Sequence, residues 1–331
     1  MAARTYDVLC MGRSSIDLYA HQIGVPMPDV TSFDAYVGGC PTNVSVGTRR
    51  LGLRSALLTA VGDDQVGDFV LRFLERETVD IGFVPRKPGR RTSAVLMAIQ
   101  PPDHFPLTFY RDNCADITLS IDDVKAAPIG DSRLLFVTGT GVSADPSRAA
   151  TFYAAETARA ASTTVVVDLD YRATVWDDPR AFGPTVRALL SHAELAIGTE
   201  EEVLAAGSAD ERGGGLEGAI ATLLETGIGA LILKRGEHGA VICRPEGSDE
   251  AARVEVPSYP IEVLNVLGAG DAFASGFIYG LIQGWELERA VRLGNATGAI
   301  VVIRHGCANF MPTMPEVDQF VAGYESERSD Q

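Results

Sequence analysis

Apolar positions along this chain follow two rhythms. Short unbroken apolar runs, bounded by Gly, Pro or Asp, stand at residues 6–11, 54–61, 134–139, 164–168, 195–197 and 230–233, and a further run ends at Cys243. Runs of this length, rich in Val, Leu and Ile, read as strands buried on both faces. Between them, apolar residues recur three and four positions apart, which is the stripe of an amphipathic helix. The helical stretches are a short one after Asn43, then one running to Arg76 behind Gly62-Asp63-Asp64, then 146–161 with Asp145 as N-cap, 182–191, 216–226 and an Ala- and Gly-rich 286–303. Strand alternating with helix predicts an α/β fold, a mostly parallel central sheet with helices on both faces. In such sheets ligands gather at the carboxyl ends of the strands. Residues 92–100 and 107–110 alternate differently, with period two, and predict a small β-strand lid formed by about 13–37 and 92–113. One domain is expected over residues 1–325, with 326–331 as a disordered polar tail.

One stretch organises the rest. Asn265-Val266-Leu267-Gly268-Ala269-Gly270-Asp271 follows a strand-like run, Val254-Glu255-Val256 through Ile261-Glu262-Val263. It leads into a helix whose stripe is Phe273, Phe277, Ile278, Leu281 and Ile282. A helix N-terminus presents unpaired N–H groups and partial positive charge, and glycines there let an anion come close. Asp271 at such a spot has two readings: an ordinary first-turn acid of a helix start, or a carboxylate that faces a hydroxyl attacking an anion bound there. Phosphoryl transfer to an alcohol needs a base, donors around the moving phosphoryl group and a magnesium site. Asp271 can be the base, the N–H groups of Ala269, Gly270 and Asp271 the donors, and Glu202 a water-mediated magnesium ligand. Other charged residues fall at strand ends too: Asp17 after Gly12-Arg13-Ser14-Ser15-Ile16, and then Asp168, Asp170, Arg172 and Lys234. Gly38-Gly39 and Asn43 offer a close backbone approach and a side chain that both donates and accepts.

Composition narrows the classes. The 331 residues are 46% hydrophobic, with no apolar run long enough to cross a bilayer. No signal peptide is visible, so a cytoplasmic location is expected and no membrane partner. Five Cys and five His are scattered, which argues against a disulfide framework and against a zinc cluster. A net charge of −16 disfavours nucleic acid as a partner and requires any anion site to concentrate positive charge locally. No G-x-x-x-x-G-K-[ST] is present, and no G-x-G-x-x-G follows the first strand, so P-loop and dinucleotide-binding chemistry are set aside.

Gly38-Gly39 with Asn43, and Gly268-Ala269-Gly270-Asp271, resemble the N- and C-terminal signatures of the PfkB/ribokinase family of small-molecule kinases; the resemblance runs over roughly residues 6–315. It implies a ribokinase-like three-layer α/β/α fold, ATP as phosphoryl donor and Mg²⁺ as cofactor. It implies Asp271 as base within Gly268, Ala269 and Gly270, and Asp17, Gly38, Gly39 and Asn43 on a sugar-like substrate. Thr199, Lys234, Gly236 and Gly239 would lie along the nucleotide, and Asn295 and Ala299 near its base. Thr199 stands where the family has Asn, three residues before the acidic Glu202. Asn265 stands where relatives carry an Asp that helps hold a monovalent cation, which leaves K⁺ dependence open. Relatives' lids often meet across a dimer, so a homodimer through the lid is expected. The segments Tyr110-Arg111-Asp112-Asn113 and Asp168-Leu169-Asp170-Tyr171-Arg172 resemble the branch acting on keto-deoxy sugar acids. A sugar acid carries a carboxylate for Arg111, Arg172 and Arg13 to neutralise. A catalytically silent relative would be expected to lack Asp271 or the glycine pair, and both are present.

Overall fold

The computed structural model describes residues 4–101, 104–207, 214–248, 250–304 and 306–329. The chain begins with β1 (Tyr6–Met11), β2 (Ser15–Ile23), β3 (Phe33–Gly38), α1 (Cys40–Arg50), β4 (Ser55–Leu58), β5 (Val61–Gly62) and α2 (Gln65–Arg76). It continues through β6 (Arg86–Lys87), β7 (Ser93–Ile99), β8 (Leu107–Tyr110), α3 (Ile121–Lys125), β9 (Ser132–Thr138), α4 (Ser147–Ala160), β10 (Thr164–Asp168), α5 (Phe182–Leu190) and β11 (Leu195–Thr199). It ends with α6 (Glu200–Gly207), α7 (Gly215–Leu224), β12 (Ala230–Lys234), β13 (Ala240–Cys243), β14 (Arg253–Val256), α8 (Ala269–Ile282), α9 (Leu287–Val302) and α10 (Met314–Ser329).

The unbroken apolar runs are strands of one eight-stranded sheet, in the order β14-β13-β12-β11-β10-β9-β1-β4. From β4 to β12 every pairing is parallel, and β13 and β14 add an antiparallel edge. The runs do not alternate with polar residues because both faces are covered. Leu9 and Met11 of β1, Leu135 and Val137 of β9, and Val165 and Val167 of β10 pack against α3 to α7. Their neighbours Val8, Cys10, Leu134, Phe136 and Val166 pack on the opposite side against α1, α2, α8 and α9. The small residues of α9 serve close packing: a Cβ added at Gly280 of α8 would stand 2.6 Å from Ala290 Cβ, and one at Gly276 2.8 Å from Leu293 O.

A second sheet, β3-β2-β7-β8, grows from the carboxyl end of β1, where Gly12 to Ser14 lead into β2. It returns through β3 directly into α1. The junction is Gly39, with φ +104°, and an added Cβ there would come within 2.4 Å of Arg13 O. Only glycine fits both the backbone angle and the approach. Thus the end of β1, the second sheet and the first turn of α1 meet at one place.

Four expectations are revised. No strand spans Ile261–Val263: β14 stops at Val256, and Pro257 and Pro260 follow, each lacking the N–H a ladder needs. Pro146, not Asp145, holds the cap position of α4, and Asp145 faces Arg148 at 3.3 Å. Asp17 lies within β2 rather than in the loop after β1. Of the expected tail, residues 330 and 331 lie outside the described residues, and α10 extends to Ser329. Among the described residues no helix is long and apolar enough to cross a membrane.

Asp64 joins α2 to the second sheet. As N-cap of α2 it accepts from Gly67 N at 2.7 Å, and it also accepts from Thr92 N at 2.9 Å and Thr92 Oγ1 at 2.8 Å, just before β7. Burial opposes its charge, but the N–H groups of Thr92 and Gly67 outweigh that and hold its pKa below the ordinary value. Replacing Asp64 with Ala is expected to cost about 1–2 kcal/mol in urea unfolding at pH 7. A carboxylate with a depressed folded pKa stabilises above its unfolded pKa, about 4. The difference between wild type and variant therefore shrinks as pH falls from there through the folded value. An unchanged difference at pH 3 would contradict this assignment.

Candidate active site

The carboxyl ends of β10, β11 and β12 open into a cleft of about 640 Å³, closed on the other side by the N-terminus of α8 and by the second sheet. Its walls include Asp168, Asp170, Arg172, Thr199, Glu202, Lys234, Gly268, Gly270 and Asp271. A cleft of that volume accommodates a small molecule with room for a second.

Gly268, with φ +79° in the left-handed region, turns the chain into α8. Helix geometry leaves the N–H groups of Gly270 and Asp271 without intrahelical acceptors. Ala269 differs: its N–H donates to Val266 O at 3.3 Å, so it is a turn donor and leaves the anion-binding set. Lys234 strengthens the same spot. A Cβ added to Gly270 would lie 3.3 Å from Lys234 Nζ, which places an ammonium over the positive end of the helix.

Asp271 sits in the first turn of α8, and its Oδ2 accepts from Asn43 Nδ2 at 2.6 Å. Asn43, in the first turn of α1, donates its backbone N–H to Gly39 O at 2.8 Å. The two glycine-rich signatures, 228 positions apart, thereby meet at one carboxylate. Behind it, Asp17 accepts from Ser15 Oγ at 2.7 Å and packs on Gly38, where an added Cβ would stand 1.9 Å from Asp17 Oδ2. Burial raises the Asp17 pKa, against the opposing charge of Arg13.

The carboxylates across the cleft are crowded. Asp168 is 3.2 Å from Lys234 Nζ, and Glu202 is 3.9 Å from it. Burial pushes Asp168 up to about 7; Lys234 pulls it down, and Glu202, Asp170 and Asp271 push it further up. Asp170 is raised by burial as well, holds φ +37°, accepts from Thr140 Oγ1 at 2.7 Å and faces Arg172 at 3.4 Å. A non-glycine residue held in the left-handed region is over-determined by its surroundings, here by Thr140, Arg172 and its own N–H to Asp168 at 3.1 Å. Burial also works against Glu202, but Lys234, Arg172 and Thr199 N outweigh it and keep its pKa below the usual range.

Thr199 explains its own presence. Its N–H donates to Glu202 Oε2 at 2.8 Å, and its Oγ1 accepts from Glu202 N at 3.3 Å. This reciprocal pair is a capping box at the start of α6 and fixes the Glu202 side chain. Among the described residues no three acidic, His or Cys groups converge tightly enough to cage a metal. Carboxylates spaced this way suit a hydrated Mg²⁺ that takes its remaining ligands from phosphates and water.

Other expected site residues have structural partners. Arg111 is buried; its Nε donates to Asp116 Oδ2 at 2.7 Å and its Nη1 to Thr140 O and Ser143 Oγ, both at 3.1 Å. It does not line the cleft, and in this structure it braces the turn that follows β9. Asn295 Nδ2 donates to Val256 O at 3.1 Å and Pro257 O at 3.0 Å, anchoring the chain after β14. Gly236 and Gly239 shape the β12–β13 turn, closed by Arg235 N to Gly239 O at 2.8 Å, and neither lines the cleft. Asn265 is fully buried, and its Oδ1 already accepts from Leu267 N at 3.0 Å. The cleft also takes Leu107 and Phe109 from the second sheet, Phe105 from the turn before β8, and Tyr171, Glu201 and Val266, none of them expected. The period-two pattern of 107–110 did carry a signal, since Leu107 and Phe109 share one face.

The fold is that of a sugar kinase. The pfkB family carbohydrate kinase profile matches residues 5–314, and the chain belongs to that family. It is 32% identical over 316 residues to the 5-dehydro-2-deoxygluconokinase of Geobacillus kaustophilus, covering 95% of this chain and 93% of that one. It is 33% identical over 321 residues to the 5-dehydro-2-deoxygluconokinase of Shouchella clausii, covering 96% of each. An E. coli protein described as a ribokinase II candidate, solved in complex with ATP and Mg²⁺, superposes with a TM-score of 0.84 at 25% identity, over 96% of this chain and 99% of its own.

Lys234 is the counter-charge of the cleft. Replacing it with Met leaves Asp168 without its counter-charge and Glu202 with Arg172 as its one cation among the described residues, and is expected to destabilise the fold by about 3 kcal/mol at pH 8. Asp168, its folded pKa already raised, takes up a proton as pH falls, so the loss is smaller at pH 6. Adding Asp168→Asn should recover part of the loss in urea unfolding. A loss independent of pH and of Asp168 would show that Lys234 acts through packing alone.

Proposed function

We propose that this protein transfers the γ-phosphoryl group of ATP to the C6 hydroxyl of 5-dehydro-2-deoxy-D-gluconate. One observation carries the reading: Asp271, oriented by Asn43, stands at the open N-terminus of α8 beside the Lys234 ammonium. The substrate hydroxyl oxygen forms a bond to the γ-phosphorus while the bond to ADP breaks. Asp271 takes the hydroxyl proton, and the N–H groups of Gly270 and Asp271 with Lys234 face the charge on the moving group. Mg²⁺, held through water by Glu202 with Asp168 near it, would neutralise phosphate charge. Asp17, Gly38, Gly39 and Asn43 form the sugar side. Gly268 sets the turn that opens the anion hole, and Thr199 positions Glu202. The substrate choice is supported by the relatives' printed activity and by the cationic residues at the cleft, Arg172 among them.

We also infer that the second sheet is a lid and that its outer face pairs with another copy of the chain. Leu18 stands opposite Ala35 and Leu96, Ala20 opposite Phe33, and Ala94 opposite Tyr110, so these apolar side chains share the face turned away from Asp17, Val95 and Phe109. Phe33 is 37% exposed and Tyr110 58%. An apolar sheet face of this kind marks an interface.

A panel of 5-dehydro-2-deoxy-D-gluconate, 2-keto-3-deoxygluconate, fructose and ribose is expected to give the highest kcat/KM on the first; a preference for a neutral sugar would overturn the substrate reading. Asp271→Asn is expected to lower kcat by roughly 10²–10⁴-fold with ATP binding retained. Full turnover in that variant would remove Asp271 as base. Light scattering should find a dimer, and Leu96→Asp with Tyr110→Asp a monomer; a wild-type monomer would refute the interface.

A further inference from the structure

Of the three arginines that face a sugar acid in the sequence reading, two are already occupied. Arg111 is bound to Asp116, Thr140 and Ser143. Arg172 lies 3.4 Å from Asp170 and 3.7 Å from Glu202, and its Nη1 donates to Tyr171 O at 3.0 Å. Arg13 is different. It stands just past β1, where the second sheet departs, and is 8% exposed. Its Nη1 donates to Ser15 Oγ at 2.8 Å, while its Nε is sealed from solvent without any hydrogen-bond partner. Its guanidinium lies 5.4 Å from the ring centroid of Phe109, a wall of the cleft. Among the described residues no carboxylate comes within ion-pair distance of it, although both Asp17 and Asp170 feel its charge.

A buried guanidinium with an unused donor is costly unless something binds it. Two further orphans stand at the two ends of the second sheet's first hairpin, Ser14 just before β2 and Asn43 in the first turn of α1. Ser14 Oγ and Asn43 Oδ1 are buried and unpartnered too. Arg13 and α1 are directly connected: Thr42 Oγ1 donates to Arg13 O at 3.1 Å. Asn43 Nδ2 is meanwhile committed to Asp271, so its orphan oxygen adjoins the reacting carboxylate. These idle donors and acceptors describe a polar ligand that offers an acceptor to Arg13 and a hydroxyl to Asn43.

We propose that Arg13 is the residue that selects for the substrate's carboxylate, meeting it with the guanidinium edge left free beside Phe109. The planar fork of arginine suits a carboxylate, and the Phe109 ring limits how that plane can turn. Ser15 positions it: one hydroxyl accepts from Arg13 and donates to Asp17, so the acid-binding and hydroxyl-binding sides of the sugar site share a hydrogen-bonded chain. The assignment rests on the sugar-acid reading above.

The test compares 5-dehydro-2-deoxy-D-gluconate with its uncharged carboxamide, in the wild type and in Arg13→Met and Arg13→Lys. The wild type is expected to prefer the acid. In Arg13→Met the KM for the acid should rise on the order of 10- to 100-fold, the scale of a lost charged hydrogen bond, with a much smaller change in kcat and in the KM for ATP. The preference for acid over carboxamide should largely disappear. Arg13→Lys keeps the charge without the fork and should fall between the two. A wild type with no preference for the acid would refute the sugar-acid reading itself. A wild type that prefers the acid, with Arg13→Met or, should that variant not fold, Arg13→Lys keeping the full preference, would overturn the role of Arg13 and leave that reading in place.

Discussion

The cleft depends on a local balance of charge. Asp168, Asp170, Glu202 and Asp271 line it, with Asp17 behind Asp271, in a protein whose net charge is −16. Burial alone would drive these groups toward their neutral forms. Lys234 and Arg172 hold Glu202 ionised, whereas Asp168 and Asp170 remain raised. Lys234 has two tasks at once, counter-ion to the strand-end acids and cation over the amino end of α8. Standing at the end of β12 and against Gly270, it joins the central sheet to the first turn of α8.

The second constraint is topological. β1 runs straight into the second sheet, and β3 runs straight into α1, so the lid is rooted where the sheet's carboxyl edge meets the first helix. Gly38 and Gly39 make that junction possible by leaving room for Asp17 and for the Arg13 carbonyl. The inner lid face brings Phe109 and Leu107 to the cleft, and its outer face presents Leu18, Leu96 and Tyr110.

Much of this was legible in advance where a physical period or a local rule governs. Unbroken apolar runs predict strands covered on both faces, and Leu9 and Val8 do face opposite layers. The glycine-rich entry to α8 predicts open N–H groups. What no local pattern showed was the set of partners each polar side chain holds. Arg111 was expected to meet a ligand because it is a lone arginine in an acidic chain, yet Asp116, five residues on, takes it. Asn295 clamps the backbone after β14, a partner that its place in the sequence did not reveal. Thr199 departed from the family pattern, and the capping box with Glu202 gives the local reason.

The sequence by itself determined the alternation of strand and helix, the two glycine signatures and the supply of acids and bases at strand ends, because those follow from short-range periodicity and backbone stereochemistry. Only the tertiary structure decided which of those side chains are already satisfied. Hydrogen bonds such as Asn43 to Asp271 and Arg111 to Thr140 join residues far apart or on separate elements, and no local pattern encodes whether a donor has found its acceptor. For the same reason Arg13 looked like one arginine among several until the fold showed that its Nε has no protein partner.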